Sequence, residues 1–131
     1  MSDLIRLYSY WRSSAAYRVR IALNLKALRY DYLAVDLAGA GGQQHAVEFH
    51  KLNPQELLPV LIDGERVVRQ SMSIIEYLAE VYHTSGYALM PPTGRERARV
   101  RSIAQLIACD IHPLNNLRVL RQLQQQFGAD Q

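Results

Sequence analysis

Two adjacent hydroxyls and an arginine, Arg12-Ser13-Ser14, stand where a short apolar run gives way to a helical pattern. A helix N-terminus carries unpaired amides and about half a positive charge, so such a place stabilises an anion. A thiolate is a suitable anion. An ordinary thiol has a pKa near ~8.5, and each unit of lowering takes about 1.4 kcal/mol of preferential stabilisation. The same hydroxyls also fit a plain helix cap, and spacing leaves that alternative open. A second segment, Leu57-Leu58-Pro59-Val60-Leu61, opens a β-rich run with a proline. Proline cannot donate to a ladder, so this placement predicts a cis Leu58–Pro59 peptide in a tight turn. Such a turn leaves the amide and carbonyl of Leu58 free to pair with a peptide-like ligand, as in strand addition; an ordinary turn proline is the plainer alternative. The third segment is Gln70-Ser71 at the head of a helical pattern, where a side-chain amide, a hydroxyl and a helix end together suit a carboxylate.

The elements that must position these residues follow from periodicity. Leu4–Tyr8 reads as a strand, and Ala15–Leu28 as a well-buried helix with Ser13 or Ser14 as its N-cap. Tyr30–Val35 reads as a second strand, Gly39, Gly41 and Gly42 as a flexible loop, and Gln43–Lys51 as a short helix ended by Leu52-Asn53-Pro54. Pro59–Ile62 and Arg66–Arg69 flank Asp63-Gly64, a hairpin signal with room for a longer turn at Glu65. A helix starts at Ser71, or two residues later if Ser73-x-x-Glu76 is its capping box. Residues 83–94, with Gly86, Pro91, Pro92 and Gly94, read as a linker between a domain spanning residues 1–82 and a helical segment, 95–131. Thr93-Gly94-Arg95-Glu96 caps that segment, and its apolar stripe predicts one long helix bent or broken near Pro113. The order β-α-β-α-β-β-α predicts an α/β domain with a mixed four-stranded sheet and helices on both faces, the thioredoxin-like arrangement, followed by the start of an all-α unit. Ala15 and Ala16 stand where a redox enzyme of this fold would hold a cysteine, so any thiolate must come from a ligand.

The 131 residues hold 15 Lys+Arg against 12 Asp+Glu, with 49% apolar and 21% charged residues, the composition of an ordinary globular chain. The basic surplus lies beyond residue 85, in Arg95, Arg97, Arg99 and Arg101, without interleaved aromatics; this is a solvated helix start, and no nucleic-acid partner is expected. One cysteine, Cys109, cannot form an internal disulfide, and the first residues lack a secretory pattern, so a cytoplasmic location is expected. No apolar stretch approaches the ~18 residues of a membrane span, so no membrane partner is expected either. Cys109 is expected in a core or helix interface. His45, His50 and His83 lack metal-ligand spacing and a nearby carboxylate pair, so no metal site is expected. Trp11 either flanks a substrate entrance or simply packs.

In order and spacing, the three segments resemble the glutathione transferase superfamily, and the first resembles its zeta class. The zeta pattern Ser-Ser-Cys-x-Trp-Arg-Val-Arg-Ile-Ala-Leu is matched by Ser13-Ser14-Ala15-Ala16-Tyr17-Arg18-Val19-Arg20-Ile21-Ala22-Leu23. Gly42-Gln43-Gln44, Leu52-Asn53-Pro54, Gln70-Ser71, Ile74-Ile75-Glu76-Tyr77-Leu78 and Asp110-Ile111-His112-Pro113-Leu114-Asn115-Asn116 extend the resemblance over essentially the whole chain, toward the maleylacetoacetate and maleylpyruvate isomerases. It implies glutathione-dependent cis–trans isomerisation of a maleyl diketo acid in aromatic amino acid or aromatic acid catabolism, with glutathione as a cofactor that is not consumed. Carried over residue by residue, it sets Ser13 and Ser14 at the thiol. Gln44, Leu58, Pro59, Gln70 and Ser71 hold the tripeptide, and His112 and Asn116 border it from the helical segment. Arg12 and Arg118 are placed for substrate carboxylates, although a solvated arginine fits both positions equally well.

Two departures from the family pattern matter. Ala15 replaces the family's active-site cysteine, which leaves the thiol to a serine and brings maleylpyruvate isomerase forward as an alternative. The chain also stops short of the family's usual end, so only the first helix or two of the all-α domain is expected. Glutathione conjugation of electrophiles, and a non-catalytic glutathione-binding or dimerising module, are the remaining readings. The stripe Ile103, Ile107, Ile111, Leu114, Leu117 and Leu120 is expected to be covered, in a homodimer or by a further segment, because each large apolar side chain left in water forgoes about 1.5–3 kcal/mol.

Overall fold

A computed structural model describes residues 4–39 and 41–129. Strand β1 (Ile5–Ser9) alternates buried and outward residues, with Ile5, Leu7 and Ser9 on the covered face. It occupies the inside of a four-stranded sheet in the order β2-β1-β3-β4. β2 (Tyr30–Ala34) runs parallel to β1, while β3 (Val60–Asp63) and β4 (Arg66–Arg69) form an antiparallel hairpin beside it. Asp63 pairs with Arg66, so the hairpin turns on Gly64 and Glu65 alone, with Gly64 at φ +57° where a side chain would be strained. The mixed sheet expected from the element order is therefore present.

Helices cover both faces. α1 (Ser14–Leu25) and α3 (Ser71–Val81) share a core with the sheet built from Leu7, Val19, Leu23, Leu61, Ile74 and Leu78. Beneath the other face, Phe49 of the short α2 (Val47–Leu52) packs with Val35 and Val60. Its ring meets Tyr8 edge to face at 5.9 Å between centroids. A single 3₁₀ turn, Gln43–His45, precedes α2, so the helix expected over residues 43–51 is in fact two pieces divided at Ala46.

α1 ends three residues before the expected Leu28. The amide of Leu28 reaches back to the carbonyl of Leu23, and Ala27 takes φ +54°. This is the left-handed closure usually given to glycine, carried here by alanine. α3 begins at Ser71, with Gln70 as its cap at φ +68°; Ser73 lies inside the helix, so the Ser73-x-x-Glu76 start is not the one used.

The described chain divides into two compact units at Leu89–Met90. Residues 83–89, read from composition as linker, are fastened to the first unit. Ser85 Oγ donates to the carbonyl of Lys26, the Tyr87 amide donates to the carbonyl of Leu25, and Leu89 packs on the core.

In the second unit, α4 (Gly94–Gln105) is capped by Thr93 as expected: its Oγ1 accepts from the Glu96 amide, and the Glu96 carboxylate of the expected capping box takes the Thr93 hydroxyl. The chain then widens into a π-helical turn, Leu106–Ile111, tightens into a 3₁₀ turn, His112–Asn115, and resumes as α5 (Leu117–Phe127). Pro113 has no amide to offer, and the His112 amide reaches Ile107, five residues back. The long helix is thus broken, and the widened turn changes which residues share a face. Cys109, expected in a core or helix interface, is exposed. Among the described residues no helix is long and apolar enough to cross a membrane.

Candidate functional site

Strand pairing brings the three segments of interest to one end of the sheet. β1 ends at Ser9 beside the start of β3, where Tyr8 pairs with Val60, and Val60 pairs in turn with Arg69 at the end of β4. The Arg12-Ser13-Ser14 turn, the Leu58–Pro59 bond and Gln70-Ser71 each lie within a few residues of those pairings. Arg18, one turn into α1, donates to Ser71 Oγ at 3.3 Å and ties the two helix starts together.

Ser13 Oγ accepts from the Ala16 amide at 3.1 Å and is the N-cap of α1; Ser14 is the first helical residue. The cap uses a lone pair of the Ser13 hydroxyl and leaves its proton for another acceptor. The turn before the helix is held by Arg20, whose guanidinium donates to the Trp11 carbonyl and lies over the rings of Tyr17 and Tyr32. Arg12 sits over the Trp11 ring, 5.6 Å from its centroid, and both residues are exposed. Leu58–Pro59 is cis, as expected, and the Leu58 amide and carbonyl have no backbone partner among the described residues. Pro59 is buried, Gln70 is exposed, and Ser71 is buried at the start of α3.

Gln44 lies in the 3₁₀ turn and is 94% buried, since its relative exposure is 6%. Gly42, at φ +89°, makes room for it: a Cβ there would stand 2.5 Å from the Gln44 amide nitrogen. Its Oε1 is buried without a hydrogen-bond partner among the described residues. Buried acceptors are normally satisfied, so this oxygen stands out among the described residues.

The remaining expected residues lie in the second unit, at the junction between the 3₁₀ turn and α5. Asn116 caps α5, accepting from the Arg118 and Val119 amides through Oδ1 and donating to the Pro113 carbonyl. His112 is half-buried and Arg118 is exposed.

Sequence reasoning missed a cluster beside Gln44. His45 and His50 both reach the carboxylate of Glu56, His45 through Nδ1 to Oε2 and His50 through Nδ1 to Oε1, the latter at 2.8 Å. These two hydrogen bonds hold the Glu56 carboxyl below its ordinary range. The sequence reading found no carboxylate pair near these histidines, and a single shared one serves them both. Asn53 makes the arrangement possible. It is buried, donates to the Leu57 carbonyl at 2.8 Å, and accepts from the Gln55 amide at 3.2 Å, shaping the turn that carries Glu56. Asn before Pro54 was the signal available, since asparagine folds its own side chain into such turns. Among the described residues no group of His, Cys, Asp and Glu is placed to hold a metal.

The first unit is thus a thioredoxin-like domain in which the cis Leu58–Pro59 bond and a serine-capped helix start lie at one end of the sheet. Residues 7–86 match the family described as "Glutathione S-transferase, N-terminal domain", and the chain belongs to that family. It is 58% identical over 129 residues to a probable maleylacetoacetate isomerase of Vibrio cholerae, covering 98% of this chain and 59% of that protein. It is 48% identical to a maleylpyruvate isomerase of a Ralstonia species, covering 97% of this chain and 58% of that protein. The crystal structure of maleylacetoacetate isomerase from Methylobacterium extorquens AM1, with bound malonate and glutathione, is 44% identical with a TM-score of 0.87, over 95% of this chain and 57% of that one. The chain thus spans under three fifths of the length of these relatives.

Proposed function

We propose that this chain carries the glutathione site of a glutathione-dependent cis–trans isomerase acting on maleylacetoacetate. The observation that carries the reading is the convergence at one sheet end of the Ser13-Ser14 helix start, the unpaired Leu58 main chain and Gln70-Ser71; the unsatisfied Gln44 Oε1 on the loop after β2 supports it. The names of its relatives supply the reaction.

Glutathione, when bound, supplies a thiolate that adds to the cis double bond and departs after rotation about the resulting single bond. The residues of this chain have three tasks. Leu58 offers an amide and a carbonyl to the peptide-like backbone, with Pro59 shaping the turn. Gln70 and Ser71, at the head of α3, suit a carboxylate, and Gln44 Oε1 accepts an N–H. Ser13 or Ser14 donates to the sulfur at the start of α1. The helix end alone gives about 0.3–1 kcal/mol at an exposed site, less than one pKa unit, so a hydroxyl is needed for a largely ionised thiol near neutrality. Arg12 and Arg118 suit the substrate carboxylates, and His112 and Asn116 belong to the same reading. The chain acts as a homodimer in the cytoplasm, in aromatic amino acid or aromatic acid catabolism.

One assay tests the function. The protein is given glutathione with maleylacetoacetate, with maleylpyruvate and with a generic electrophile, while substrate absorbance and total thiol are followed. Shifting maleylacetoacetate absorbance at constant thiol is the expected result. A preference for maleylpyruvate would reassign the substrate, in keeping with Ala15 at the cysteine position. Loss of thiol would make the protein a conjugating enzyme, and bound glutathione with no turnover a binding module.

A further inference from the structure

The cluster beside Gln44 has no part in the reaction as described, yet its hydrogen bonds run in one direction. Gln44 Nε2 stands 3.0 Å from His45 Nε2. An amide nitrogen only donates, so the imidazole nitrogen facing it must accept, and the ring proton must sit on Nδ1. That is the nitrogen bound to the Glu56 carboxylate, itself an acceptor only. The tautomer of His45 is therefore imposed from both sides. Its consequence falls on Gln44. With Nε2 held by the imidazole, Oε1 is the atom left buried and unpartnered among the described residues.

The turn holding Glu56 does the same for the second glutamine of the site. Gln55 Oε1 accepts from Gln70 Nε2 at 2.8 Å. Adjacent residues of one Asn53-shaped turn thus bear on both glutamines, Gln55 directly on the Gln70 amide nitrogen and Glu56 on that of Gln44 only through His45.

We propose that His45 and Glu56 are positioning residues for glutathione: Glu56 fixes the His45 tautomer, and that tautomer presents Gln44 to the ligand as a hydrogen-bond acceptor. The inference rests on the glutathione reading above. It specifies the chemistry that Gln44 recognises, a ligand N–H and not a carboxylate.

Glu56→Gln is the discriminating variant. Its carboxamide can donate to His45 Nδ1, which favours the Nε2–H tautomer. Gln44 must then turn its oxygen to the imidazole and its nitrogen to the ligand. His45 is half exposed and Glu56 about a third exposed, so neither substitution opens a core. The tautomer is read by ¹⁵N chemical shifts of His45 in the glutathione-free protein, and glutathione affinity by calorimetry. The expected result is an Nδ1–H ring in the unsubstituted chain, an Nε2–H ring in E56Q, and glutathione binding roughly five- to twentyfold weaker in E56Q, the range for one misdirected hydrogen bond. His45→Leu should lose affinity to a similar degree, and His45→Gln, whose oxygen can accept from Gln44, should restore part of it. Gln44→Leu separates the two levels. If glutathione binds neither the unsubstituted chain nor Q44L, the glutathione reading fails and takes this inference with it. If Q44L weakens binding but E56Q matches the unsubstituted chain, only the role of His45 and Glu56 is overturned. Weaker binding in E56Q with an unchanged tautomer overturns it as well.

Discussion

Ser13 and Ser14 are neighbours with different structural duties, and this makes them separable by experiment. Ser13→Ala removes the Ala16 amide's acceptor and should cost about 1 kcal/mol of stability in chemical denaturation, whereas Ser14→Ala leaves that cap intact. Titrating the thiolate absorbance of bound glutathione in both variants then identifies the donor: its loss raises the thiol pKa. An unchanged thiol pKa in both would remove the serines from the chemistry. Glu56 makes a prediction in acid. Its folded pKa lies below the ordinary 4.5 because two imidazoles donate to it, so its contribution is present above that value and is lost as pH falls toward the folded one. The stability of the unsubstituted chain should therefore fall more steeply below about pH 4.5 than that of Glu56→Gln, as read by urea midpoints across the pH range. The cap at Ser13 was legible because it depends on residues three apart. The His45–Glu56 pair was not, because it forms only after the Asn53 turn folds the chain back.

At the scale of elements, local signals succeeded where the residue itself carries the geometry. Asp63-Gly64 announced the hairpin, and Pro59 at the head of an inner strand announced the cis bond. They failed where an ordinary residue adopts a special one. Ala27 closes α1 in a conformation that glycine would have advertised. Pro113 marked the break in the helical segment but not the widened turn before it, which is where hydrogen bonds readjust to the missing amide. The hairpin is also clamped to α3: Tyr77 and Tyr82 both donate to Asp63 Oδ2 at 2.7 Å. Burial, and then the bond to this carboxylate, push both phenols up. A raised folded pKa means stability present below the ordinary phenol range and lost as pH rises through the folded values. Asp63→Ala should therefore lower stability by about 1–3 kcal/mol near neutrality, measured by denaturant unfolding, and should flatten the loss in strong alkali.

For the whole molecule, large apolar side chains stand exposed on every helical piece of the second unit. Ile103, Ile107 and Ile111 are about half exposed, Leu114 is 73% exposed, and Phe127 at the end of α5 is 74% exposed. Exposed apolar surface on this scale marks an interaction site or an aggregation liability. Light scattering at micromolar concentration should find a dimer, and replacing Ile107 and Leu114 with Glu should shift it toward monomer. A monomer at that concentration in the unsubstituted chain would refute the homodimer.

The strap at residues 85–87 decides where the first unit can be severed. Lys26 is wholly buried and its ammonium donates to the Tyr87 carbonyl at 3.1 Å, while Gly86 lies so close to the backbone of Lys26 that a Cβ would come within 2.5 Å of it. A chain cut after residue 82, at the foot of α3, keeps every strand and loses that carbonyl. It also removes the Ser85 hydroxyl bonded to the Lys26 carbonyl and Leu89 from the core. A cut after residue 89 keeps the acceptor. The seven residues between the two cuts, which contribute no strand and no helix, thus separate an excised domain that keeps its strap from one that loses it.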